Sequence, residues 1–328
     1  MKRKKIILSI LLTAIILSCL FIYISLENYP WDKVIGKEIQ KKINGTFSVE
    51  SVAFNLSHIT LKNIALLSMK GEKIITADTV IVEYHLKNYL KNSEPLECIS
   101  HVSVINPVIN VTCSSEGKWN VQELFKAGEK KIIPFNGSME IRNGKLTLIS
   151  YKKDMPLHIS MTDINGTADL WANPYLNFFI TGREGVSWLS LKGEGDYIKS
   201  RFSAKAELSD IDISKWGKLV RIKHLNFTGG KINTALSLSL FPKKNGDLFL
   251  NIDGDGNIRE GSVDCFEGKV QVNDIKGNMS FKGDSLTLLD IQGRRDRSFV
   301  NVSGTISFLR KEIRSEEHTS ELQSLAYL

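Results

Sequence analysis

Cysteine, histidine and proline are all scarce in this chain: its 328 residues contain four, six and seven of them. Beyond the first 30 residues only Cys98, Cys113 and Cys265 remain. So few thiols, and an odd number of them, exclude a disulfide scaffold, and stability must come from backbone pairing and burial. Cys98 and Cys113 admit two geometries. A two-residue turn at Asn106-Pro107 sets them diagonally on one face, a small shift from pairing. One long strand kinked at Pro107 sets them about 50 Å apart. No Pro-rich or Ser-rich linker interrupts the chain, which points to one continuous architecture. His58, His85, His101, His158 and His224 stand singly, without metal-ligand spacing. A Gly-x-Ser-x-Gly elbow and a phosphate-cradling glycine loop are also missing. Gly193-x-Gly195 and Gly254-x-Gly256 read as turns. Asp253-Gly-Asp-Gly-Asn257 imitates the start of a calcium loop, but Ile258 stands where the sixth-position glycine belongs and Asp264 where the final glutamate belongs. It reads as a solvated hairpin. These absences argue for a non-enzymatic protein with no cofactor and no metal.

What the chain does have is a long apolar run behind a basic cluster. Lys2, Arg3, Lys4 and Lys5 precede Ile6–Ile24, which carries no charge. About 20 apolar residues let a helix cross a hydrocarbon core of roughly 30 Å. The run is longer than a cleaved signal's and ends at Ile24-Ser25-Leu26-Glu27 without an Ala-x-Ala exit. Ile16-Leu17-Ser18-Cys19 loosely resembles a lipobox, but Leu20–Ile24 stays as apolar as what precedes it. An uncleaved single-pass anchor over residues 1–29 is the expectation, with its basic end cytoplasmic and the bulk beyond the membrane. Much of the formal charge of +7 sits in that cluster, so the basic balance does not call for nucleic acid. At the other end, Arg314-Ser-Glu-Glu-His-Thr-Ser-Glu-Leu-Gln-Ser324 resembles the translation of a sequencing-library adapter. Residues 314–328 are therefore expected to be non-native; they hold one Arg and three Glu, so without them the charge becomes +9.

Residues 30–45 read as an amphipathic surface helix, with Trp31, Val34, Ile35, Ile39 and Ile43 on one stripe and Asn44-Gly45 ending it. From Thr46 the period changes to two. Leu236, Leu238 and Leu240 alternate with Ser237 and Ser239, and Val300, Val302 and Ile306 alternate in the same way. Asn143-Gly144, Asn165-Gly166, Asn245-Gly246, Asp253-Gly254 and Gly283-Asp284 read as turn signals of antiparallel hairpins. Short helical turns are expected at Leu86–Lys91, Val121–Lys126 and Asp210–Leu219, the last capped by Asp212 or Ser214. Ile141-Arg-Asn-Gly144 echoes Ile258-Arg-Glu-Gly261, and Asp163-Ile-Asn-Gly166 echoes Asp274-Ile-Lys-Gly277, so a stacked, repeating sheet is expected. Eight Asn-x-Ser/Thr triplets follow from Asn-rich turns and polar strand faces.

The order of these features resembles the AsmA-like/TamB-like superfamily of bacterial envelope proteins. The likeness rests on the anchor, the helix ending at Asn44-Gly45, and Val49-Glu-Ser-Val-Ala-Phe-Asn-Leu56. It continues through Ile59–Ile64, Ile75–Tyr84, Val102–Val108 and Gly117-Lys-Trp-Asn-Val121. It covers residues 1 to about 130 well and the later strands diffusely. The resemblance implies an all-β fold: a transmembrane helix, then an elongated, mainly antiparallel, repeating β-groove over 46–313 with a few short helices. It implies an inner-membrane protein, mostly periplasmic, that carries phospholipid acyl chains or helps outer-membrane assembly with an outer-membrane protein. Leu236, Leu238, Leu240, Val300, Val302 and Ile306 are the candidates for the lipid-facing groove. The alternative is a structural or regulatory envelope protein whose β surface binds another protein. A contiguous apolar channel open to one side favours the first, whereas a deep polar pocket with paired carboxylates or a Ser–His pair revives a hydrolase.

Overall fold

A computed structural model describes residues 31–40, 43–55, 57–85, 98–124, 135–152, 155–172, 174–196, 198–216, 225–242, 248–265, 268, 270–283 and 285–307. Among them no helix is long and apolar enough to cross a membrane. The expected anchor Ile6–Ile24, the turn at Leu86–Lys91, the Asn245-Gly246 signal and the tail from Arg314 lie outside the described residues.

The chain is all-β. The first strands are β1 (Thr46–Ser48), β2 (Ser51–Phe54), β3 (His58–Leu67), β4 (Lys73–Tyr84), β5 (Ile99–Ile105) and β6 (Val108–Cys113). Then come β7 (Ser138–Lys152), β8 (Met155–Ala172), β9 (Tyr175–Glu184), β10 (Ser187–Asp196) and β11 (Arg201–Asp212). The last are β12 (Leu225–Pro242), β13 (Leu248–Cys265), β14 (Val270–Gly283), β15 (Ser285–Arg295) and β16 (Ser298–Ser307). All sixteen belong to one sheet, and from β7 onward each strand pairs with the next in sequence. The pairing is antiparallel except where β5 and β6 run parallel to β7.

That exception decides the cysteine geometry. Ile105 stands beside Arg142 and Val108 beside Lys145, the same offset on both sides of Asn106-Pro107. β5 and β6 are thus one line kinked at Pro107, and Cys98 and Cys113 are buried thiols that form no disulfide with each other. The return to a parallel neighbour requires a crossover, and the helix Asn120–Leu124 lies in it.

The turn reading of the Asn/Asp-Gly pairs is corrected at several places. Asn143-Gly144 lies inside β7, Asn165-Gly166 inside β8, Gly193-x-Gly195 inside β10, and Asp253–Asn257 inside β13. Asn143, Asp163, Asp210, Glu260, Asp274 and Asp290 all have φ between 51° and 55° and sit where strand register shifts. They are β-bulges, which use the same left-handed backbone as a tight turn but bend a strand instead of ending it. Strands of 18 residues, such as β8, β12 and β13, are long enough to need such bends. The sequence echoes are the same device repeated. Ile141 faces Gly166 and Gly144 faces Ile164; correspondingly, Ile258 faces Gly277 and Gly261 faces Ile275.

The most buried side chains gather at two places. At the N-terminal end, Ile74, Cys113 and Leu124 are almost wholly enclosed, and Ile43 is 5% exposed. Asn44 N–H donates to the Leu124 carbonyl at 2.9 Å, tying the end of the first helix (Trp31–Gln40) to the crossover helix. The second place is Ile213 with Ile258, Val263, Ile275 and Met279. Each such side chain contributes about 1.5–3 kcal/mol by leaving water.

Candidate functional site

Cross-strand partners in an antiparallel sheet share a face, so the register traces which residues form one surface. Leu236 faces Ala206 on one side and Gly254 on the other. Gly254 faces Phe281, Phe281 faces Leu286, and Leu286 faces Ile306. Leu238 lies between Ala204 and Ile252, and Leu240 between Phe202 and Leu250. In the other direction Ala206 faces Leu191, which faces Ile180. The β15 bulge between Leu288 and Ile291 leaves β16 in phase, so Val300 and Val302 keep the face of Ile306. All six residues singled out from the sequence therefore occupy one face of one sheet, Ile306 by register alone.

Burial follows the same division. Leu236, Leu238, Leu240, Val300 and Val302 are half-buried, while Lys192, Glu194, Lys205, Glu207, Ser237 and Asp255 on the opposite face are exposed. Sixteen strands in one sheet leave no second sheet among the described residues to seal the apolar side. Near one rim, Leu176, Gly195, Phe202 and Leu240 line an open hollow of about 610 Å³. Several small residues belong to this face. A Cβ on Gly193 would come within 2.7 Å of the Phe178 ring and 2.8 Å of the Ala204 Cβ. Small residues let neighbouring side chains converge over one face, as a surface curved inward demands.

At the N-terminal end the same face is closed. Cys113 pairs with Ser150, which pairs with Leu157, and Leu148 pairs with Ile159; Leu157 and Ile159 are only 5% and 3% exposed. From β9 onward, among the described residues, the face is covered by the helix Ile213–Trp216, which touches β8, β11 and β12. Asp212 caps that helix, accepting from Ser214 N–H at 2.9 Å. Glu184, in phase with Ile180 and so on the apolar face, accepts from the Trp216 indole at 2.8 Å and from Lys215 Nζ at 3.2 Å. Its side chain is only 9% exposed. Composition and spacing had not singled out Glu184; an acid in phase with an apolar strand face was the available signal.

A second constellation lies on the polar face. His101 faces Ser138, and Ser103 faces Glu140 across the parallel β5–β7 junction. The Ser103 hydroxyl donates to Glu140 Oε2 at 3.1 Å, so His101 Nε2–H donates to Ser103 Oγ at 3.1 Å. Nδ1 then accepts from the Ser138 hydroxyl at 2.6 Å. The Arg142 guanidinium, 2.6 Å away, holds the Glu140 carboxyl below its usual range, with help from Ser103 against a burial effect of opposite sign. A Ser–His pair is thus present. Its carboxylate, however, is bound by Arg142 and lies 3.7 Å from the imidazole, with Ser103 interposed. This chain of bonds clamps the parallel register; it lacks the direct carboxylate–imidazole contact that orients a catalytic base.

Asp253 and Asp255 lie on the polar face of β13, alternating with Gly254 and Gly256. Asp253 accepts from Gly283 N–H at 3.2 Å. Among the described residues no group of three or more His, Cys, Asp or Glu is placed to hold a metal.

Fold and site define a class: a mainly antiparallel all-β protein whose described strands form a single sheet with one continuous apolar face, incompletely covered among the described residues. Compared with known proteins, the chain matches no family model and no curated sequence.

Proposed function

We propose that this chain is a non-enzymatic, inner-membrane-anchored envelope protein whose apolar sheet face carries phospholipid acyl chains between membranes in support of outer-membrane assembly. The observation that carries the reading is the register. It aligns Leu236, Leu238 and Leu240 with Val300, Val302 and Ile306 on one face that no second sheet covers among the described residues. An unsealed apolar surface beyond a few hundred Å² is stable in a soluble compartment only when something greasy occupies it. Acyl chains suit it because their binding scales with buried CH₂ groups, about 0.8 kcal/mol each, and needs no directed polar contacts. The resemblance to AsmA-like/TamB-like proteins supports the same reading, and the expected anchor at Ile6–Ile24 places the sheet on the periplasmic side. The alternative, a protein-binding β surface, is separated by the same experiment.

The test is a photoreactive side chain at Leu238, run beside Leu238→Asp. Phospholipid adducts at Leu238, together with a Leu238→Asp variant that stays folded but loses co-purified lipid, are the expected result. Adducts to protein alone would replace the conduit reading by the protein-binding one.

A further inference from the structure

We propose that one margin of the sheet, where β9–β13 end around the turn holding Ile198, docks on the surface of a phospholipid membrane. The inference rests on the conduit reading for the presence of phospholipid beside the sheet, and it names the part of the sheet that touches it.

At this margin the sheet is apolar on both sides. On the polar face Tyr175 pairs with Asp196 and Asp196 with Arg201. Phe202 faces Leu240, so Arg201 is in phase with Phe241, which faces Phe249 with ring centroids 5.2 Å apart. A face that carries Lys192, Glu194 and Ser237 further in thus ends in aromatic rings. On the apolar face Leu250, paired with Leu240, reaches the same margin. Ile198 stands at the tip, between β10 and β11. Tyr175, Ile198, Phe241 and Leu250 are 40–55% exposed, and five neighbouring strands hold them within roughly 20 Å. The opposite margin also exposes Met69, Tyr151, Val186 and Phe299, but these are spread from β3 to β16. Single exposed apolar side chains are ordinary, whereas a cluster calls for an occupant.

Shape and charge identify the occupant. A protein partner covers one side of such a margin, while a bilayer interface surrounds a wedge on both. Aromatic rings beside cations are the composition that settles at lipid headgroups. Lys199 adjoins Ile198 with its side chain 63% exposed, and Arg201 is exposed on the next strand. Asp196, the acid between Tyr175 and Arg201, is 6% exposed and engaged by the turn. It accepts from Ile198 N–H at 3.0 Å and Lys199 N–H at 2.9 Å, and meets the Lys199 ammonium at 3.4 Å. Glu194 stands one row further in, beside Ser203, so the outermost charges are the two cations. The open hollow of about 610 Å³ is lined by Lys199 and Arg201 as well as by Phe202 and Leu240. Cations and apolar track therefore border one space, and a lipid whose phosphate meets Lys199 and Arg201 enters the track sideways, over this margin.

The experiment uses the full chain in lipid nanodiscs mixed with vesicles, both of phosphatidylethanolamine and phosphatidylglycerol and both carrying nitroxide-labelled acyl chains. A fluorescent side chain replaces Ile198 or, at the opposite margin, Val186, which is 79% exposed. Quenching at Ile198 should exceed that at Val186 several-fold. Lys199→Gln combined with Arg201→Gln should lower it toward the Val186 level, because each cation at such a surface contributes roughly five-fold in binding. A melting curve matching the parent's shows that this variant is folded. Equal quenching at the two margins, or quenching at Ile198 indifferent to the double substitution, would overturn the membrane contact. So would a photoreactive side chain at Phe241 that captures only protein. A photoreactive side chain at Leu238 separates the two readings. Lipid adducts there without quenching at Ile198 remove the docking margin and leave the conduit, whereas quenching at Ile198 without adducts at Leu238 removes the conduit and leaves the docking margin.

Discussion

Asn143 donates a 2.8 Å hydrogen bond from its side-chain amide to the Asn106 side-chain oxygen, across the junction where the sheet turns from antiparallel to parallel. Both residues have left-handed backbone, at φ 53° and 52°. Asn106 also donates to Asp78 at 2.9 Å, and its N–H donates to the Arg142 carbonyl at 2.9 Å. The side chains that permit the kink also bridge the strands on either side of it.

Asn106→Val should therefore destabilise the fold by about 2–4 kcal/mol, combining strain at positive φ with lost hydrogen bonds. Asn106→Gly should recover the strain component and not the bonds. Denaturant midpoints of the three proteins give the order parent, glycine, valine. A valine variant as stable as the parent would disprove the role of the kink.

Gly193→Val is expected to be poorly tolerated, because a Cβ there meets the Ser203 carbonyl oxygen at 2.4 Å and the Phe178 ring at 2.7 Å. Overpacking of this kind costs about 1–3 kcal/mol. At Gly304, in β16, nothing lies within 4 Å of a Cβ, so Gly304→Ala should leave the melting temperature within a degree or two. Thermal unfolding of the pair measures how far packing is confined to the converging part of the face.

Acid stability should depend on Glu140. Its carboxyl is held below the usual range by Arg142, so the charged form is favoured in the folded state. The contribution is complete above the unfolded carboxylate value of about 4.3 and is lost as pH falls through the lower folded value. Asp196 acts in the same direction, held low by the Lys199 backbone N–H first and then by its ammonium. Stability measured from pH 6 to pH 3 should fall more steeply in the parent than in Arg142→Met. Parallel curves would show that the Arg142 contact carries no linked proton.

Topology has its own test. A reporter fused after Ile313 should be active only outside the cytoplasm, and the protein should stay in the membrane fraction without processing, since Lys2–Lys5 precede an uninterrupted apolar span. Cytoplasmic activity, or release of a shortened soluble form, refutes the anchor.

The amino-acid sequence by itself determined the strand class and the face. Side chains alternate at period two regardless of what surrounds them, so Leu236-Ser-Leu-Ser-Leu240 could only be a strand with one apolar side. The repeats Ile141–Gly144 and Ile258–Gly261 were also legible. Their meaning was not: an Asn or Asp at positive φ looks the same in a hairpin turn and in a bulge, and only the partner strand shows whether the chain reverses or continues. The resemblance favoured one line kinked at Pro107 over a hairpin there, but only tertiary structure showed its parallel neighbour, because that pairing joins residues 37 apart with no local signal. Tertiary structure alone brought Glu184 to Trp216, 32 residues away. Backbone periodicity is written locally, whereas register across strands and the seating of a connection on a distant face arise only when those strands have met.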